Sequence, residues 1–395
     1  MKRLLVPALL WACLALMLAG CVNRHKVAVN TAKTRWLTMR TAQMLALAYQ
    51  QFEMGDLDQS EATVGEALAQ DGASPSLLIM AGRIALERGR LERSYHYFKQ
   101  AQDGDPNIAV AHYYQAVVFE RWSQHEAALA AYRRAYALEP DNVAYLLAIG
   151  ETLVALDRVD KALQTLQAKL IYFEQNAGIQ EAVGRLLLVT GDRHGAVDHF
   201  KQASLLKPGD LQIAEELALA YLKAGQYDEA IRVLTRLRQE GDPQRRHYID
   251  MALVNAYQRA GRVADARTIC RDLTRSAPDD PTPWIRMAEL AWAEGDLGTT
   301  LASAGKIRRL APENHVGYLF AGMVWHQRGD TSRAAPLFEQ ASQLDIDNAE
   351  SAILQGISLE ASGLKQAAAD AYREALRRQP NDERASRLLV RVEAK

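Results

Sequence analysis

Nine histidines and three cysteines are the side chains of this chain best able to hold a metal or act as nucleophiles. A bound zinc or redox metal needs three or four such donors at fixed, close spacings. The histidines do not offer that. His96, His112 and His125 fall on successive helical segments, and His194 and His199 are five apart, on different faces of a helix. His315 and His326 share a segment, but 11 residues separate them, about three helical turns. His247 lies beside an irregular loop. No HExxH, GxSxG, GxGxxG or phosphate-loop pattern occurs. Paired carboxylates such as Glu215-Glu216 read as a solvated helix face. No catalytic residue, metal or cofactor is expected, and the chain reads as a non-enzyme.

The cysteines point instead to covalent attachment. Residues 1–20 begin with Lys2 and Arg3, and an apolar run of 15 residues follows from Leu4 to Leu18. That run is short against the roughly 20 residues of a membrane-spanning helix and has the proportions of an export signal. It ends in Leu18-Ala19-Gly20-Cys21, which resembles the lipobox of bacterial lipoproteins. The resemblance implies cleavage before Cys21 and lipid on its thiol. Val22, rather than an aspartate, then implies an outer-membrane destination with the folded part facing the periplasm. The competing readings are an uncleaved membrane anchor and an ordinary secreted protein. Cys13 would leave with the signal, so Cys270 alone would remain in the folded body, without an intrachain disulfide.

Residues 21–40 form a tether. Positions 22–40 contain five Lys or Arg and no acid. Such a segment favours anionic headgroups when it lies beside a membrane; a solvated linker turning helical near Trp36 is the simpler reading. The whole chain has a formal net charge of −1 over 395 residues. Without Lys2 and Arg3 it holds 45 basic and 48 acidic residues, net −3. No basic stripe of the kind that binds nucleic acid is present.

The elements behind these residues follow a period. Gly55, Gly89, Gly191, Gly225, Gly261, Gly295, Gly329 and Gly363 recur, and every gap but one is a multiple of 34. The exception, Gly225 to Gly261, is 36, and Ser123 and Asp157 fill the two glycine-free positions. A period of 34 marks a helix–turn–helix array. Small residues recur on the first helix of eight units (Gly82, Ala116, Gly150, Gly184, Ala218, Ala288, Gly322, Gly356) and on the second helix at Ser94, Ala128, Ala162, Ala196, Ala230, Ala266, Ala334 and Ala368. A late proline ends most units, at Pro106, Pro140, Pro208, Pro278, Pro312 and Pro380. Asp and Asn follow it in EPDN, APDD, APEN and QPND, placed to cap the next helix. These positions resemble the tetratricopeptide repeat family.

The resemblance implies an all-α, right-handed α-solenoid of about ten helix pairs over residues 41–382, closed by a short capping helix at 383–395. Two stretches depart from the pattern. The fourth unit, 143–176, has Asp157 for glycine, Lys169 at a small position and an apolar exit without proline. The sixth gains two residues around 239–247. Bends are expected near both. Cys270 stands where other units place Phe98, Tyr132, Phe200, Leu234, Phe338 and Tyr372, so it is expected to be core.

In this family the first helices line the groove that takes the partner. The positions so placed are Tyr49, Phe52, Arg83, Tyr113, Glu120, Glu151, Arg185, Glu215, Met251, Asn255, Arg286, Glu289, Trp292, Leu319 and Met323. Packing against the next unit is the alternative role for each. The lysine of the family's carboxylate clamp is replaced by Leu45, Ile79, Tyr113, Leu147, Glu181, Glu215, Met251, Ile285, Leu319 and Ile353, so a chaperone-tail receptor is not expected. The expected function is a membrane-anchored protein-binding scaffold for a cell-envelope system: pilus or secretion, exopolysaccharide export or cell-wall machinery. Its partners would be envelope proteins and, through Cys21, the membrane. The alternatives are glycan binding through the groove, with Tyr113 and Trp292 as platforms, and self-assembly through the solenoid edges.

Overall fold

The computed structural model describes residues 31–33 and 35–394. The signal-like segment 1–20, Cys21 and the first part of the basic tether lie outside the described residues. Helices and short turns account for the described fold, without a strand among the described residues.

Ten successive turns share one backbone device. The residue after the first helix of each pair has positive φ: Gly55, Gly89, Ser123, Asp157, Gly191, Gly225, Gly261, Gly295, Gly329 and Gly363. A left-handed residue closes a helix by letting its own N–H and the next one turn back onto the last carbonyls. At Gly89, its own N–H reaches Leu86 O at 2.9 Å and the Arg90 N–H reaches Ala85 O at 2.8 Å. The glycine-free turns make the same bonds: Ser123 N–H to Glu120 O and Gln124 N–H to Phe119 O, both 2.8 Å, with φ of 58° at Ser123.

The chain divides into two compact units, one ending at Gly191 and the other starting at Asp192. The first contains α1 (35–53), α2 (Leu57–Gln70), α3 (Pro75–Glu87), α4 (Leu91–Gly104), α5 (Ala109–Arg121), α6 (His125–Leu138), α7 (Val143–Ala155), α8 (Val159–Gln167) and α9 (Ala177–Thr190). The second contains α10 (Arg193–Leu206), α11 (Leu211–Lys223), α12 (Tyr227–Glu240), α13 (Arg246–Arg259), α14 (Val263–Ser276), α15 (Thr282–Ala293), α16 (Leu297–Leu310), α17 (His315–Gln327), α18 (Thr331–Leu344), α19 (Glu350–Ala361), α20 (Lys365–Arg378) and α21 (Glu383–Glu393). Within each unit, consecutive helices pack on one another.

The pairs close through a small residue set against a large one. A Cβ added at Gly82 would lie 2.4 Å from the Phe98 ring, and one at Gly356 would lie 2.4 Å from the Tyr372 ring. Gly322 meets Phe338 in the same way, at 2.7 Å. Ser94, at a small position of the second helix, also donates its hydroxyl to the Gly82 carbonyl at 2.8 Å. Asn142, Asn314 and Asp382 cap α7, α17 and α21 through their side chains, and Asp280 accepts from the Thr282 N–H at the start of α15.

Both departures seen in the repeat pattern have local consequences. The helix α8 has nine residues, where most second helices have 14. It stops before Lys169, whose side chain is too large for a position that elsewhere packs tightly, and the 3-10 turn Leu170–Tyr172 leaves Ile171 and Tyr172 exposed. The two extra residues after α12 are taken up by a second 3-10 turn, Pro243–Arg245. Cys270 has no exposed surface, and burial pushes its thiol up to about 12.

Two outcomes follow. A serine held left-handed is strained, whereas glycine is not, so Ser123→Gly should stabilise the chain by about 0.5–1 kcal/mol; Asp157→Gly should gain less, since Asp tolerates that region. Both are read from thermal unfolding midpoints. Cys270 should resist maleimide at pH 8 in the folded chain and label only after denaturation, as located by peptide mass spectrometry.

Candidate protein-binding face

In the unit ending at Gly191, the first helices α1, α3, α5, α7 and α9 present a continuous series of polar and aromatic groups. Arg83 on α3 is its first anchor. The guanidinium carbon lies 5.3 Å from the Tyr49 ring centre, 4.8 Å from Phe52 and 5.3 Å from Tyr114. Glu53 stands 4.0 Å away. Each cation–ring contact contributes about 0.5–1 kcal/mol at partly open sites, and three together fix the guanidinium plane.

Tyr113 on α5 is half-buried among rings. Its centroid is 5.3 Å from Tyr114, 5.4 Å from Tyr132 and 5.1 Å from Tyr145. Burial raises the phenol values of Tyr113, Tyr114 and Tyr132. Burial, helped by Glu139, carries Tyr145 to about 12, so these hydroxyls stay protonated donors. Tyr132 donates to Glu120 Oε2 at 2.8 Å, and Thr152 Oγ1 donates to Glu120 Oε1 at 3.0 Å. Glu120 is thereby held in place by a second-helix ring and by the next repeat.

Glu151 and Arg185 continue the series on α7 and α9. Burial first, and the charge of Glu120 second, raise the Glu151 carboxyl, while Arg185 opposes them. Arg185 is itself paired with Glu181, one turn earlier on α9. Beside them opens an apolar slot of about 270 Å³, lined by Leu147, Val154, Leu166, Ala182, Leu186 and Val189, with Glu151 and Arg185 at its rim. Gly150 contributes to it too, because its missing side chain leaves Leu166 as the floor.

In the unit starting at Asp192, the sequence-derived positions are placed in smaller groups. Glu215 on α11 pairs with Arg245 at 2.7 Å, and burial raises its carboxyl against the pull of that arginine. Arg286 and Glu289 on α15 pair at 2.7 Å. Met251 is half-buried against the Val254, Cys270 and Met287 cluster, and Asn255 is exposed. Trp292 and Met323 pack on the cluster around Ala288, Ile307 and Phe320, with Trp292 and Phe320 6.5 Å apart. Leu319 is half-buried on α17. Tyr49, Tyr113 and Trp292 thus each have a ring face engaged by neighbours, though none is fully buried.

Sequence position did not reveal several of these groups. Tyr114, Tyr132, Tyr145 and Thr152 support the face of the first unit, and in the second Arg245 joins Glu215. Around the two-residue insertion, Arg238 Nε lies 2.5 Å from buried Asp250 Oδ1 and its terminal nitrogen 3.1 Å from Asp272. They border a cavity of about 420 Å³ with Arg246 and His247. Burial raises Asp250, and Arg238 counters it. One signal was available for Tyr132. Where Phe98 fills the equivalent site its partner position is Leu86, whereas tyrosines at 132 and 372 coincide with Glu120 and Glu360, and Tyr372 donates to Glu360 at 3.1 Å. A buried hydroxyl requires an acceptor. Among the described residues no three His, Cys, Asp or Glu side chains gather as a metal site.

A carboxyl whose folded value exceeds its unfolded one binds protons better when folded, so it costs stability above that value and the cost fades as pH falls through it. Glu151→Gln should therefore raise the unfolding midpoint at pH 7 and leave it nearly unchanged below pH 4, as read by thermal denaturation across pH. Glu151 is partly open to solvent, so the gain should be small and reduced by salt.

Comparison with known proteins agrees with this architecture. Profiles described as tetratricopeptide repeat match residues 45–109, 79–138, 123–186, 187–248, 249–290 and 326–383. The Protein CTR9 homolog of Arabidopsis thaliana is 22% identical over 316 residues, which take in 77% of this chain and 29% of that longer protein. Among solved structures, the APC/C hetero-tetramer Cut9-Hcn1 is similar at 13% identity and a TM-score of 0.40, over 89% of this chain and 90% of that one. YrrB, a TPR protein with an unusual peptide-binding site, is similar at 19% identity and a TM-score of 0.36, over 45% of this chain and 91% of its own. MamA is similar at 17% identity and a TM-score of 0.38, over 42% and 92% respectively. With its profile matches covering most of the residues, its left-handed turns in register and its small-to-large helix pairing, this chain belongs to the tetratricopeptide repeat family.

Proposed function

We propose that this protein is a protein-binding scaffold of a bacterial cell envelope, held to the outer membrane by lipid on Cys21 with its repeats facing the periplasm. The observation that carries the binding half is the slot between α7 and α9. It combines an apolar floor and walls with opposite charges at the rim, the composition of a site that takes one apolar side chain of a partner and orients the flanking backbone by polar contacts. The anchored Glu120 and the ring-held Arg83 extend that site with groups whose positions are fixed before a partner arrives, which lowers the entropy lost on binding.

The location half rests on the residues around Cys21. The apolar run Leu4–Leu18, short for a membrane span, and the Leu18-Ala19-Gly20-Cys21 that resembles a lipobox support acylated Cys21 as the anchor. A scaffold of this kind serves an assembly whose parts must be gathered at one surface, such as a pilus or secretion apparatus, an exopolysaccharide exporter or the cell-wall machinery. A protein partner is preferred to a glycan because Tyr49, Tyr113 and Trp292 each have a ring face occupied by a neighbour.

Two measurements test this reading together. Mass spectrometry should find lipid on Cys21, and Cys21→Ala should lose its fractionation with outer membrane. Affinity capture of the wild-type chain from envelopes should retain a defined protein partner that Ala182→Phe, which fills the slot, fails to retain at unchanged thermal stability. Equal capture by both chains would remove the slot from the function.

A further inference from the structure

The two ends of the repeat array are finished differently. The last helix, α21, turns charged side chains outward: Glu383, Arg384, Arg387 and Arg391 are exposed, and Arg391 is paired with Glu360 at 2.6 Å. That charged face, interrupted by exposed Val390, is of the kind that closes a helical array. The first helix, α1, has no such face. Its outer side carries Trp36, Met39 and Leu47, which are 55%, 65% and 47% exposed, with Ala42, Gln43 and Ala46 exposed between them and Gln50 beyond. From Trp36 to Gln50 this outer row bears no charge. Arg40 lies to its side, paired with Glu66 at 3.1 Å, and its guanidinium carbon is 5.2 Å from the Trp36 ring centre.

In sequence, the charges leading into that row are of one sign, acids standing only at its far end, Glu53, and across from Arg40, Glu66. No aspartate or glutamate occurs from Val22 to Phe52, while Arg24, Lys26, Lys33, Arg35 and Arg40 do. Lys33 and Arg35, beside Trp36, are exposed. An apolar helix row with an indole at one end and flanking cations matches a bilayer interface, with headgroup phosphates at the cations and acyl chains under the row. A second copy of the chain fits less well. The uncharged row is about 22 Å long at the helical rise and one helix wide, so it covers on the order of 200 Å², against about 800 Å² per partner in a stable dimer.

We propose that α1 is an interfacial helix that lies on anionic phospholipid through Trp36, Met39 and Leu47. This rests on the lipid anchor of the preceding section. Fifteen residues separate Cys21 from Trp36, a reach of about 50 Å at most. The acylated end would therefore keep α1 at the surface, and a face too small to bind alone suffices once the encounter is intramolecular. The consequence is orientation: the first repeat is laid on the membrane, rather than swinging on its tether.

The test uses the full, lipidated chain in phosphatidylcholine vesicles with and without phosphatidylglycerol, with brominated acyl chains as quencher. The contribution of Trp36 is the difference in quenching between wild type and Trp36→Phe. That difference should be clear in the anionic vesicles and fall several-fold in the neutral ones. It should fall equally in Met39→Glu/Leu47→Glu, which changes only exposed side chains and so should unfold at the wild-type temperature. Equal quenching of wild type and Trp36→Phe in anionic vesicles would overturn the proposal, as would pairwise cross-linking of Met39→Cys chains, which would mean that a second copy covers the helix. Mass spectrometry of Cys21 on the same samples decides the anchor independently: lipid present without Trp36 quenching rejects the interfacial helix alone.

Discussion

The close approach of the two helices within a repeat is the constraint on which the rest of this fold depends. At Gly82 and Gly356 the partner ring stands where a Cβ would be, 2.4 Å from its ideal position. A side chain there would force the helices apart, at a cost of about 1–3 kcal/mol for overpacking. The separation then fixes the direction in which the next repeat leaves, because each unit is stacked only on its neighbours. The left-handed turn residue works with it: once the helices are so close, only a sharp reversal joins them. In the repeats closed by Phe98, Phe338 and Tyr372, small residue, large ring and positive φ are one geometric requirement stated at three positions.

That arrangement also decides what the binding face can be. First helices stacked at a regular spacing bring corresponding positions of adjacent repeats side by side, so residues about 34 apart become neighbours. Glu120 and Thr152 are joined this way, 32 residues apart, and so is Arg83 with Tyr49 and Tyr114. Each contact spans a repeat boundary, so the face reinforces the stack while remaining available to a partner. The carboxyls of Glu151 and Glu215 show the limit of this economy: both are raised by burial, and each has an arginine working against it.

Much of the fold was legible in the sequence because its determinants are periodic and local. Ser123 and Asp157 stood at ladder positions without being glycine, and the structure gives both the same positive φ as the glycines. Lys169 at a small position marked the repeat whose second helix ends early. The side-chain partnerships were less legible. That Arg83 lies on the groove side follows from its register, but that it lies across three rings depends on the rotamers of Tyr49, Phe52 and Tyr114. Tyr132 read as core, and its ring is core; the polar role comes from one oxygen that reaches beyond the ring. The Arg238–Asp250–Asp272 group forms at an insertion, where the register that guides the rest of the sequence no longer applies.

The shortened helix α8 has a consequence for how the molecule responds to being bound. In a chain of nearest-neighbour interfaces, local opening begins at the rung with the least buried contact. The fourth repeat, with nine residues in its second helix and a 3-10 turn in place of its last turns, is such a rung. The slot lies where that repeat meets the next, between α7 and α9, with Leu166 of α8 as its floor. A ligand seated there would bridge the helices on either side of the shortened α8 and restrict its local opening. Occupancy would thereby be converted into stiffness at the fourth repeat.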